Sequence, residues 1–217
     1  TKADYSTQIQ NIQMACDVAS FSKKIGASCL LCAGTIAEKA IDSFNQLKTI
    51  SGGQMYGVGK ASTRLFLEAL CKNISLSLVW MRFSNIYGPD NKTGNLISYT
   101  IGQLSKGEEA TFGPANQPYD FIYVDDLIQA AYLLGKKKEH SCIDYFIGSG
   151  EPKLLKDYLI EVGKIYGKPE LIKIGVRPDD GIKYLFEMFD VSFLKKEIGH
   201  YISKSFDEAI QYTINHY

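Results

Sequence analysis

The sequence has no excess charge of either sign, little arginine and no long apolar run. Its 24 basic side chains are matched by 24 acidic ones, and mean hydropathy is close to zero. That balance removes the electrostatic reason to bind nucleic acid. At 45% hydrophobic and 22% charged residues, the chain has the composition of a folded protein rather than a disordered one. No stretch approaches the roughly 18 apolar residues of a membrane helix. The first ten residues, TKADYSTQIQ, show neither the basic nor the apolar region of a secretory leader. The five cysteines (Cys16, Cys29, Cys32, Cys71, Cys142) are odd in number and scattered, a poor disulfide framework that fits a reducing cytoplasm. Cys29 and Cys32 form a C-x-x-C, but within the apolar run Ala27–Ala33, which reads as a buried strand. His140, His200 and His216 are not spaced to complete a metal site with them.

What is present is an alternation of helical and strand patterns. Tyr5, Ile9, Ile12, Cys16 and Ala19 recur at spacings of four and three, predicting an amphipathic helix over residues 5–24. Residues 27–33 predict a strand, followed by a polar segment to about Gly53, a long helix over 54–72, and an apolar strand over 76–82. Such near-continuous apolar strands between helices predict a parallel sheet covered on both faces. Beyond Pro89 the elements shorten: a helix over 95–106, strands near 110–112 and 120–123, and a helix over 125–134. A further helix is predicted to open at Pro152 and stop at Gly167. A last one opens on the capping box Ser205-Phe-Asp-Glu208, with Phe206, Ile210, Thr213 or Ile214, and Tyr217 on one stripe. The fold class expected from this alternation is α/β: a parallel sheet with crossover helices, plus a smaller C-terminal α/β lobe. Residues 1–88 would belong to the sheet domain and 89–217 mostly to the lobe, with about 120–150 returning to the sheet.

Tyr56 and Lys60 stand one helical turn apart on a common face. A tyrosine becomes a general base near neutral pH when its pKa drops from about 10, and an adjacent ammonium favours the phenolate. The pair suits removal of a hydroxyl proton while hydride leaves the same carbon. Spacing alone is weak evidence: with 14 tyrosines, Tyr132 and Lys136 match as well, and that second pair reads as a solvated helix end. Context separates them. Thr35 lies just past the carboxyl end of the first strand, the edge at which open α/β sheets bind ligands. Its hydroxyl is placed to bridge a substrate oxygen and the phenol.

Four segments in order, Tyr56-Gly-Val-Gly-Lys-Ala-Ser62, Arg82-Phe-Ser-Asn-Ile-Tyr-Gly-Pro89, Asp120-Phe-Ile-Tyr-Val-Asp-Asp-Leu127 and Arg177-Pro-Asp-Asp180, make the chain resemble the extended short-chain dehydrogenase/reductases of the NAD-dependent epimerase/dehydratase group. The resemblance implies Thr35, Tyr56 and Lys60 as catalytic, with Tyr56, Lys60 and Phe83 against an NAD or NADP cofactor. It implies Asn85 and Arg177 on a nucleotide sugar. Arg177 has support of its own, being one of only three arginines (with Arg64 and Arg82), and a planar guanidinium suits a diphosphate; the alternative is a surface ion pair with Asp179 or Asp180. The activity implied is that of an epimerase or 4-keto reductase. The acidic pair that dehydratases of this family carry after the catalytic Thr is replaced by Ile36 and Ala37. The resemblance also implies that the sheet is a partial Rossmann-like one, and that the chain is a cytoplasmic homodimer packed through helices 5–24 and 54–72, with no nucleic-acid or membrane partner.

Two departures stand out. Tyr119 occupies a position where many relatives have arginine. The Gly-rich G-x-x-G-x-x-G turn that holds the cofactor pyrophosphate is absent, since Ile50-Ser-Gly-Gly-Gln54 and Tyr56-Gly-Val-Gly59 lack the spacing. The alternative expectation is therefore a non-catalytic fragment or remnant acting as a binding or interaction module.

Overall fold

The computed structural model describes residues 4–46, 52–91, 94–179 and 181–217. Ile50 and Ser51 of the glycine-containing stretch, and Asp180, lie outside the described residues. Helix α1 (Tyr5–Lys24) opens on Asp4, whose carboxylate accepts the Ser6 and Thr7 amides that no preceding turn can satisfy. Strand β1 (Cys29–Thr35) runs into a 3-10 segment (Ile36–Gln46), where a polar connection was expected, and helix α2 (Gly52–Asn73) follows. Strand β2 (Ser77–Phe83) leads directly to β3 (Asn85–Tyr87).

The second half comprises α3 (Leu96–Lys106), β4 (Ala110–Thr111), β5 (Pro118–Tyr119), β6 (Phe121–Tyr123), α4 (Val124–Gly135), β7 (Asp144–Ile147), β8 (Lys153–Leu154), α5 (Leu155–Tyr166), β9 (Ile172–Lys173), α6 (Ser192–Ile198) and α7 (Phe206–Asn215). The helix predicted from Pro152 starts three residues later. Lys153 and Leu154 pair antiparallel with Tyr119 and Pro118, and the Leu155 and Lys156 amides are taken by the carbonyls of Gln117 and Ala115. Sheet pairing thus claims the backbone groups a first helical turn would have used. The Ser205–Glu208 capping box forms, and α7 buries Ala209, Ile210 and Thr213; Tyr217 lies past the helix, half exposed.

The parallel sheet has the order β1-β2-β7. Alternate side chains explain why its strands are apolar throughout. Leu30, Cys32, Leu78 and Trp80 face α1 and α2, packing with Ala19, Leu67 and Cys71. Cys29, Leu31, Val79 and Met81 face the other way, toward Leu127, Ala130 and Leu134 of α4 and Leu194 of α6. A separate core joins α3, α5 and α7 to β3 and β6 around Phe121, Tyr158, Leu159 and Ile210. No described helix is long and apolar enough to cross a membrane.

Helix α2 approaches the 3-10 segment so closely that a Cβ on Gly57 would lie 2.7 Å from the Ala37 carbonyl oxygen. Backbone cannot yield there. Gly57→Ala is expected to lose about 1–3 kcal/mol of stability through overpacking, although alanine is the better helix former by roughly 1 kcal/mol. Urea denaturation reads the sign, and a raised midpoint would show that the contact is slack.

Candidate active site

The parallel register brings the strand ends level: Thr35 closes β1 opposite Phe83 at the end of β2, and Phe83 stands opposite Ile147 at the end of β7. Thr35, Tyr56, Phe83, Asn85 and Arg177, drawn from five separate segments, line one cavity of about 650 Å³ at this edge. That size suits a small-molecule ligand. Tyr99, Tyr119 and Asn95 complete much of the wall.

Lys60 behaves differently from the other expected residues. Its ammonium donates to the Ala33 carbonyl at 2.8 Å and sits 5.8 Å from the centre of the Tyr56 ring, beside the cavity and not among its lining. Burial lowers the Lys60 pKa, opposed chiefly by the carboxylate of Glu38. The Tyr56 phenol does not fall as the pairing with Lys60 led us to expect. Burial pushes it above its ordinary value, and the carboxylate of Glu38 adds to the rise.

Asn85 is locked on both sides. Its Nδ2 donates to the Asp120 carbonyl at 3.1 Å, and its Oδ1 accepts from the Tyr119 hydroxyl at 2.9 Å. Tyr119 is therefore a wall residue that orients the asparagine. Asp120 is fully buried; its carboxylate accepts from the Ser149 amide at 3.0 Å and from the Ser149 hydroxyl. Burial raises its pKa, and the Ser149 bonds work against that rise.

Arg177 is held from two directions: Nε donates to Thr111 Oγ1 at 2.8 Å and Nη2 to the Tyr99 hydroxyl at 2.7 Å. Among the described residues no carboxylate forms an ion pair with it, Asp179 included. Tyr99 also accepts the Thr111 amide. Burial raises the Tyr99 phenol, but the Thr111 hydrogen bonds and the nearby guanidinium together bring it below its ordinary value. Tyr99 carried no spacing signal, because it sits in an ordinary helical pattern that only tertiary packing turns toward the cavity.

Residues 2–148 match the model of the NAD dependent epimerase/dehydratase family. The chain is 36% identical over 90 residues to CDP-abequose synthase of Salmonella typhimurium, covering 39% of this chain and 29% of that protein. It is 24% identical over 179 residues to dTDP-glucose 4,6-dehydratase of Haemophilus influenzae, covering 75% of this chain and 51% of that one. It thus spans about half or less of the length of these curated relatives. Among solved structures, UDP-N-acetylglucosamine 4-epimerase from Bacillus cereus superposes with a TM-score of 0.79 at 18% identity, over 99% of this chain and 72% of that one. The fold, the level strand ends and the family match agree: the chain belongs to the NAD dependent epimerase/dehydratase family.

Proposed function

We propose that the protein acts on a nucleotide sugar, as an epimerase or 4-keto reductase, with Tyr56 exchanging a proton with the sugar oxygen at the carbon where hydride is transferred. The observation that carries this reading is the convergence of Thr35, Tyr56, Asn85 and Arg177 on one cavity at the carboxyl ends of the strands. NAD or NADP, when bound, supplies the hydride acceptor or donor. The residues present fit its nicotinamide-ribose end. The Lys60 ammonium has three donors and spends one on Ala33, so ribose hydroxyls can take the others. Phe83 at the end of β2 offers an apolar wall.

Each side chain then has a physical task. Thr35 presents a hydroxyl that can bond the substrate oxygen and orient it toward Tyr56. Asn85 spends one amide proton on Asp120 and keeps the other for the ligand, in an orientation fixed by Tyr119. Arg177, pre-organised by Thr111 and Tyr99 and without a carboxylate partner among the described residues, suits the diphosphate. The name of the structural neighbour from Bacillus cereus, a UDP-sugar epimerase, is consistent with that ligand class. The 4-keto reductase and epimerase readings share all of these contacts and differ in whether the cofactor exchanges between turnovers. The alternative is a binding module, in which the cavity keeps its sugar-nucleotide contacts without turnover.

Calorimetric titration with UDP and CDP tests the ligand class. Arg177→Met is expected to weaken nucleoside-diphosphate binding roughly 10- to 100-fold, as loss of a charged hydrogen-bonding group of about 1.5–3 kcal/mol implies. Equal affinity in the variant would remove Arg177 from the phosphate site. Titration with NAD and NADP separates the readings, since an enzyme must bind one of them and Lys60→Met must weaken it.

We also infer a homodimer through α1 and α2. These helices pack on each other yet leave Ile9, Met14, Val18 and Phe21 of α1 and Leu65 and Phe66 of α2 exposed. An apolar stripe of this kind is covered in a dimer. Sedimentation should give twice the chain mass for the wild type and the single-chain mass for Val18→Glu/Phe21→Glu. A monomeric wild type would sink the idea.

A further inference from the structure

Glu38 lies three residues beyond Thr35, in the 3-10 segment, and is 7% exposed. Its Oε1 accepts the Thr35 amide at 2.8 Å and the Trp80 indole N–H at 3.1 Å; its Oε2 accepts from Arg82 Nε at 3.1 Å. Arg64 Nε forms an ion pair with Glu38 at 3.8 Å, too far for a hydrogen bond, and is a buried donor without a hydrogen-bond partner among the described residues. Arg82 also pairs with Asp144, Arg64 pairs with Glu68, and Lys39 donates to the Met188 carbonyl at 2.8 Å. Tyr56 shares the cavity wall with Thr35, whose amide Glu38 accepts, and the Lys60 ammonium bonds the Ala33 carbonyl two residues earlier, so the Glu38 charge acts on both, with the Cys32 thiol beside Lys60.

Building on the reading of the cavity as a nucleotide-sugar site, we propose that Glu38 is a positioning residue. Its buried carboxylate pins the Thr35 backbone and sets a fixed negative charge behind Tyr56 and Lys60, tuning the site to give a proton to a keto sugar rather than to take one from an alcohol. In that direction the keto carbon accepts hydride from a reduced nicotinamide. The C=O π pair moves to oxygen, which takes the phenolic proton of Tyr56. The ketone is reduced to an alcohol, the cofactor is oxidised, and the tyrosinate regains its proton from solvent. This step needs the neutral phenol, which Glu38 favours. The reverse needs the phenolate, whose population falls tenfold for each pH unit by which ionisation is delayed. The arrangement favours the proton-donating half of the chemistry, which a reductase uses in its single step and an epimerase in its second.

The test follows Tyr56 ionisation by NMR of tyrosine labelled with carbon-13 at Cζ, the Tyr56 signal being assigned from Tyr56→Phe. Neither nucleotide nor nicotinamide is needed, so its outcome is separate from that of the nucleotide titrations. In Glu38→Gln, which keeps an acceptor for the Thr35 amide but removes the charge, Tyr56 is expected to ionise at lower pH. In Glu38→Asp, which keeps the charge, it is expected to titrate close to wild type. Emission from Trp80, the sole tryptophan, verifies that the surroundings of residue 38 are intact. If Glu38→Gln fails to fold because Arg82 and Arg64 lose their partner, Glu38→Gln/Arg64→Met removes one charge of each sign and is titrated instead. Unmoved Tyr56 titration in the folded Gln variant, or equal shifts in the Gln and Asp variants, overturns the proposal.

Discussion

A carboxylate taken out of water must be met by donors on nearly every side, and Glu38 is met from β1, β2 and α2 at once. It collects the amide at the end of β1, the indole and guanidinium of β2, and the approach of Arg64 from α2. Moving an isolated carboxylate into such a place costs several kcal/mol, and removing one partner of a buried pair typically costs about 3–5 kcal/mol. The ends of β1 and β2 and the turn after Thr35 therefore cannot shift independently. Gly34 belongs to the same arrangement: a Cβ there would fall 2.3 Å from the Trp80 indole nitrogen and 2.7 Å from Glu38 Oε1. A residue without a side chain is what lets carboxylate and indole close over the strand.

The rest of the cavity is fixed by a second polar anchor on the opposite flank. Asp120, buried and bonded to Ser149, holds the start of β6, and its carbonyl receives both the Ser84 hydroxyl at 2.7 Å and the Asn85 amide. Between the two anchors lies the parallel register that sets Thr35 against Phe83. Helices on both faces of the sheet leave the strands no freedom to slip, because a one-residue shift would exchange the side-chain sets facing α2 and α4. Precision at the site thus comes from packing far from the reacting atoms.

This division explains what could be read in advance. Apolar runs 27–33 and 76–82 were legible as strands because burial on both faces removes polar alternation, and Tyr56 with Lys60 was legible because helical spacing maps directly onto a shared face. Arg177 stood out by the scarcity of arginine. Glu38 was not legible. An acidic residue after a strand looks like a solvated turn, and only the convergence of Trp80, Arg82 and Arg64, distant in sequence, makes it a buried hub. Tyr119 stood out only as a departure from the pattern of the resembling family, and nothing in sequence showed that its hydroxyl fixes Asn85. The Pro152 helix start failed for the same reason: pairing with Pro118 and Tyr119 is non-local and outweighs a local helix signal.

The second Tyr-x-x-x-Lys pair shows how little of a site resides in spacing. Lys136 lies 5.5 Å from the Tyr132 ring centre, while Lys60 lies 5.8 Å from that of Tyr56, so both pairs adopt the same cation-over-ring geometry. Tyr132 is 57% exposed near the end of α4. There, water screens the ammonium and the contact is worth about 0.5–1 kcal/mol. Tyr56 is half-buried at the strand edge, where Glu38 adds its charge and Thr35 and Arg177 share the cavity wall. The same two side chains in the same relative pose are thus a surface contact in one place and a candidate proton-transfer pair in the other. The difference is made by the dielectric and the neighbouring charges, which depend on the fold and not on the motif.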